Sequence, residues 1–178
     1  NIPSGNTAGI LNAFNYTVAA FVPDNTPAVF DIVITDSTGT VWNTSITHLL
    51  KAPVLQVYSI TVSDPTGNNN GVLEPGETAD ITIKTNNKGH SATTASTATM
   101  ATNSPYLTIN NTSYNTGVVQ ALSDVDATFN VSLASNIQIG STFDLQFNID
   151  ANPYSDNKTF NMVAGEILEN FEYGNFTT

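Results

Sequence analysis

Apolar side chains recur at every second residue along almost the whole chain, and this period restricts the fold more than any other feature. Phe14, Tyr16, Val18 and Ala20 fall on one face of an extended segment, with Asn15, Thr17 and Ala19 on the other. Phe30, Ile32 and Ile34 interleave with Asp31, Val33 and Thr35, and Val41 to Leu49 resumes after the turn signal Asp36-Ser37-Thr38-Gly39. Pro53 to Ser63 and Ala79 to Lys84 follow, the second broken by Asn86-Asn87-Lys88-Gly89. Ser91 to Thr102 has few large side chains and reads as an edge or weakly packed strand. Short strands are expected over 106–109 and 114–119, then strong ones over 125–133 and 143–149, and a last one around Phe160 and Met162. No long stretch carries the 3.6-residue period of a helix. Some dozen short strands with regularly spaced turns predict an all-β chain of antiparallel sandwiches.

Composition narrows the functions such a chain can have. Charged residues make up 11% of the 178, against the usual quarter or so, and the four cationic residues are all lysine. A net charge of -11 is unsuited to neutralising phosphates, so nucleic acid is excluded as a partner. Anionic lipid is excluded for the same reason. No apolar run reaches the ~18 residues of a membrane helix, so no membrane insertion is expected. Cysteine is absent, which removes disulfide and thiolate chemistry without fixing a compartment. Asn1-Ile2-Pro3-Ser4-Gly5 lacks a signal-peptide pattern, and the chain reads as a piece of a longer protein.

An internal repeat organises the chain. Phe14-Asn15-Tyr16-Thr17-Val18 matches Phe129-Asn130-Val131-Ser132-Leu133, Phe30-Asp31-Ile32-Val33-Ile34 matches Phe143-Asp144-Leu145-Gln146-Phe147, and the segment around Ile46 matches that around Phe160. The spacing of about 113 to 115 residues is close to one immunoglobulin-like domain. Residues 54–166 therefore form a complete copy, and residues 1–53 the back half of another. The half-copy lacks several strands, so a second chain or the complete copy is expected to cover its faces and edges.

Hard oxygen ligands concentrate in one loop, Asp64 to Glu77. In an EF-hand-like register with Gly71 at the sharp turn, Asn68 and Asn70 precede it, Val72 offers its carbonyl and Glu77 takes the bidentate position. Thr66 stands where the first carboxylate is usual, and Asp64 supplies that charge if the loop bends back. A structural Ca²⁺ held by Asp64, Asn68, Asn70, Val72 and Glu77 is one reading. A Gly/Asn turn whose side chains bond their own backbone is the other.

No residue set points to catalysis. His48 and His90 are too far apart in sequence, and too few, for a zinc site. No Gly-x-Ser-x-Gly elbow accompanies them. Glu74 and Glu77 lie in a loop without surrounding aromatics, and Trp42, the single tryptophan, is expected to pack within the half-copy rather than stack on sugar. Asn-x-Ser/Thr triplets begin at Asn15, Asn43, Asn110, Asn111, Asn130, Asn157 and Asn175, but a chain this rich in Asn and hydroxyl residues produces them by chance.

The stretch "SITVSDPTGNNNGVLEPGETADITIKTNNKGHSATTASTATM", followed by "YLTINNTSYNTGVV", resembles the immunoglobulin-like (fibronectin III-like) modules of large secreted bacterial proteins related to the gingipain cysteine peptidases. "EILENFEYGNF" is similar to the opening of a cleaved-adhesin domain, which makes residues 167–178 a linker or the start of such a domain. The resemblance implies type IX secretion, a place at the cell surface or outside the cell, and a non-catalytic role as spacer or adhesion domain beside a peptidase or adhesin. It implies neighbouring domains of a parent chain as partners and, if the module is itself an adhesin, a host protein or glycan. It also makes Ser37, in Asp36-Ser37-Thr38, a candidate for O-glycosylation.

Overall fold

A computed structural model describes residue 2 and residues 5–165, so residues 167–178 lie outside the described part. It contains ten strands and no helix among the described residues. Two four-stranded antiparallel sheets face each other over residues 55–163, and a separate two-stranded hairpin precedes them. The hairpin is β1 (Thr26–Thr35) and β2 (Val41–Leu50). The sandwich strands are β3 (Leu55–Ser63), β4 (Thr78–Asn87), β5 (Ala95–Ala101), β6 (Leu107–Ile109), β7 (Ser113–Val118), β8 (Asp124–Leu133), β9 (Thr142–Ala151) and β10 (Tyr154–Val163). One sheet runs β3-β4-β8-β6 and the other β10-β9-β5-β7.

The period-two pattern determines which side chains meet between the sheets. Ala79, Ile81 and Ile83 of β4 and Ala127, Phe129 and Val131 of β8 face Phe143, Leu145, Phe147 and Ile149 of β9 in one continuous core. Phe129 meets Phe147 edge-on with ring centroids 6.1 Å apart, an arrangement aromatic rings favour over face-to-face stacking. The polar residues at intervening positions remain outward: Thr82 on β4 pairs its hydroxyl with Thr128 on β8 at 2.9 Å.

Two sequence expectations change here. Residues 91–102 are not an edge. β5 lies between β9 and β7, and Ser96, Ala98 and Met100 are buried. Its side chains are small because large neighbours occupy the core space around it: Ala98 sits opposite Ile149 on one flank and Tyr114 on the other. Residues 14–20, by contrast, form no strand despite their alternation. They have no ladder partner, and alternation by itself supplies no hydrogen bonds. Phe14 and Tyr16 instead lie against Phe30, with ring centroids 5.9 and 4.9 Å away.

The sandwich does not cover the hairpin. Ile34, Trp42 and Ile46 remain about half exposed, so Trp42 pairs across the strand with Ile34 rather than entering a core. Among the described residues β1 and β2 pair only with each other.

Candidate functional site

The loop after β3 is built by its own polar atoms. Asp64 is fully buried, and its Oδ1 accepts from Gly71 N–H at 2.8 Å and its Oδ2 from Asn70 N–H at 3.3 Å. Asn68 Oδ1 accepts from Asn70 N–H at 3.0 Å, and Asn70 Oδ1 from Val72 N–H at 2.8 Å, two successive Asx turns. Glu77 Oε2 accepts from Glu74 N–H at 3.0 Å, and Asn68 Nδ2 donates to Glu74 Oε2 at 2.6 Å. Gly71 has φ +78°, a left-handed backbone that admits glycine at little cost. Leu73 anchors the loop by entering the core, while its carbonyl accepts from Gly165 N–H at 2.9 Å.

The five residues named as metal ligands do not play equal parts. Asp64 and Glu77 converge on Gly67. A Cβ placed there would overlap Glu77 Oε1 and lie 3.3 Å from Asp64 Oδ2. Asn68 and Asn70 each use their side-chain oxygen on the backbone two residues ahead, and Val72 contributes its N–H to that chain. No three Asp, Glu or His side chains gather as a metal set among the described residues. The donors that face one another are hard oxygens of the type Ca²⁺ prefers, completed in such loops by carbonyls and water. Within the loop the Glu77 carboxylate is bonded to the Glu74 amide and the Glu74 carboxylate to the Asn68 side chain.

A second constellation was not foreseen from the sequence. Asp24, in the turn leading into β1, accepts from Ala52 N–H at 2.9 Å and pairs with His90 Nδ1 at 2.6 Å. The Ala52 amide, and then the His90 side chain, hold the Asp24 carboxyl at about 2, well below its ordinary value. Asn25 Oδ1 accepts from Lys51 Nζ, and Asn25 Nδ2 contacts His90 Nδ1 at 3.3 Å. Beside them Tyr154 stacks on Phe21 with centroids 5.3 Å apart, and its hydroxyl donates to Val22 C=O at 3.1 Å and accepts from Val22 N–H at 3.3 Å. Four residues of the segment before β1, Phe21, Val22, Asp24 and Asn25, are thus tied to the linker, to the β4–β5 turn and to β10. His90, in the turn after β4, reaches across to Asp24. The only local sign of this was the turn-forming Pro23-Asp24-Asn25-Thr26, where Thr26 Oγ1 donates to Pro23 C=O at 2.7 Å.

His48 is on the hairpin, its ring centroid 6.3 Å from that of Tyr16, and His90 is in the sandwich, paired with Asp24. Neither a protein-family model nor a curated protein matches this chain.

Proposed function

We propose that the chain is a non-catalytic module of a larger secreted or cell-surface protein, a spacer built from immunoglobulin-like repeats of the gingipain-related type. The observation that carries this reading is the junction. Asp24, Phe21 and Val22 bind Ala52, His90 and Tyr154 through ionic, aromatic and backbone contacts at once. A spacer needs such a fixed angle between successive units, whereas a free linker would let them pivot. An adhesin reading would call for a contiguous apolar patch on the complete sandwich. The exposed large residues there come from separate elements: Tyr58 from β3, Tyr114 and Val118 from β7, Val163 from β10, and Val54, Tyr106, Leu122 and Ile139 from the connecting segments.

The chain has no cysteine, so Thr38→Cys in the hairpin turn and Thr61→Cys on β3 accept spin labels uniquely. Electron–electron distance measurement should give one narrow distribution, and Asp24→Ala should broaden it. An equally broad distribution in both proteins would remove the spacer reading.

Within the module, the Asp64–Glu77 loop takes a structural Ca²⁺, with Asp64 and Glu77 supplying the charge. The ion neutralises two carboxylates drawn to the same glycine and fastens the end of β3 to the start of β4. Calorimetric titration of chelator-treated protein tests this directly. No heat of binding up to millimolar Ca²⁺ leaves the loop as a self-bonded turn.

A further inference from the structure

Among the described residues β1 has one neighbour, β2, and no strand pairs with its other edge. A two-stranded hairpin is at best marginally stable in water, and an open edge of alternating apolar residues is a template for another strand. Pro27 is tolerated in β1 because the strand is at an edge. A groove of about 560 Å³ lies between Ala13, Phe14 and Asn15 and the β1 residues Phe30, Asp31, Ile32 and Val33. No residue of β2 lines it.

The sandwich contains a counterpart of this hairpin in which the same edge is filled. Phe30 pairs with Ile46, and Leu145 pairs with Phe160. Setting Ile46 on Phe160 places Phe30 on Leu145, two residues beyond the Phe143 match that side-chain identity suggests. The turn between β1 and β2 has five residues and that between β9 and β10 has two. A two-residue slip preserves the face. Ala28, Phe30, Ile32 and Ile34 then overlie Phe143, Leu145, Phe147 and Ile149, which are all buried. On its open side β9 pairs with β5, from Thr97 opposite Asp150 to Ala101 opposite Gln146.

We propose that the open edge of β1 is a strand-docking edge, filled by a β5-type strand from a further repeat of this module. The strand adds antiparallel to Asp31–Thr35. It is uncharged, as β5 is, and places small or apolar residues at alternate positions, as Ala98 and Met100 stand toward the core. The edge suits it: Asp31 is the single ionised side chain on β1 and belongs to the face opposite Phe30, Ile32 and Ile34. Phe14 and Tyr16 do not compete for the slot. Their rings tilt against Phe30 at 39° and 49°, and residues 14–20 form no ladder with β1.

The proposal rests on the repeat reading, and one titration separates the two. The whole chain, labelled for NMR, is titrated with a synthetic peptide of residues 93–103. The expected result is saturable amide shifts centred on Asp31–Thr35, weakened at least tenfold by a peptide carrying Ala98→Asp and Met100→Asp. Cross-strand contacts between β1 and β2 in the free protein, with no shift on adding peptide, overturn the docking edge alone. Absence of those cross-strand contacts overturns the repeat reading and the docking edge together. Shifts confined to β7 and β9, or pairing of two β1 edges in a dimer of the free chain, also overturn it.

Discussion

Asn87 shows how much one buried polar residue can hold. Its Oδ1 accepts from Val54 and Gly89 N–H, both at 3.0 Å, and its Nδ2 donates to the carbonyls of Ser91, Val119 and Gln120. Four segments meet at one side chain that solvent does not reach. Replacing it with Leu leaves those groups unpaired in the interior, where each costs about 1–3 kcal/mol. Asn87→Leu should therefore lower unfolding free energy by about 3–5 kcal/mol, read from urea denaturation with an unchanged slope. Next to it, a Cβ on Gly89 would lie 2.7 Å from the Pro53 carbonyl carbon, so the turn requires glycine for space. The sequence shows Asn86-Asn87-Lys88-Gly89 only as a place where a strand stops; three of the five partners, Val54, Val119 and Gln120, come from segments more than thirty residues away, beyond the reach of local pattern. Asp24 is a similar case with a pH signature. Its folded carboxyl sits at about 2 against an ordinary 3.8, held down first by the Ala52 amide and then by His90. A lowered carboxyl contributes stability that is complete above about pH 4 and is lost as pH falls toward 2. Carbon-detected titration of Asp24 should give a midpoint near 2, and one near 3.8 would mean the junction does not form in solution.

At the scale of elements, the alternation specified the faces of strands but not their neighbours. β4, β8 and β9 were evident because Ile, Phe and Val recur on one side of each, and those sides form the core. β5 was misplaced because its buried face is Ser96, Ala98 and Met100, which from composition alone looks like weak packing. Small residues mark a central strand when large ones stand opposite, and that information belongs to the neighbouring strands. The difference can be measured. Ala98→Leu pushes a larger side chain between Ile149 and Tyr114 and should cost about 1–3 kcal/mol. Thr99→Leu, one residue along and exposed, should change stability by less than about 0.5 kcal/mol. Equal effects would return β5 to the edge. The opposite error, a strand expected over 14–20, has the same origin: the pattern shows that a segment suits a sheet but cannot show that a ladder partner is within reach. The metal-loop residues were legible as a group from their density of Gly, Asn and carboxylates. Their hydrogen-bond assignments were not, because Asn oxygens serve backbone and cation equally well.

For the molecule as a whole, the sandwich and the hairpin differ in what holds them. The sandwich encloses a continuous core in which Phe129, Ile81, Ile83, Leu145 and Ile149 are fully buried. The hairpin keeps Ile34, Trp42 and Val33 at half exposure or more and has two strands where stable sheets have at least three. They share the Asp24–His90–Tyr154 junction and little else, so their stabilities should be nearly independent. Heating is expected to show two transitions, with loss of β1–β2 contacts preceding loss of β4–β8 contacts. Phe129→Ala removes a ring from the centre of the core and should cost the sandwich about 3–5 kcal/mol. The later transition should fall steeply while the hairpin transition stays within about a degree of wild type. Spectra that follow Trp42 for the hairpin, and the Phe147 and Ile149 resonances for the sandwich, distinguish the two. A single shared transition that moves as one with Phe129→Ala would mean that the junction couples them into one cooperative unit, and the hairpin would then need no added strand to persist.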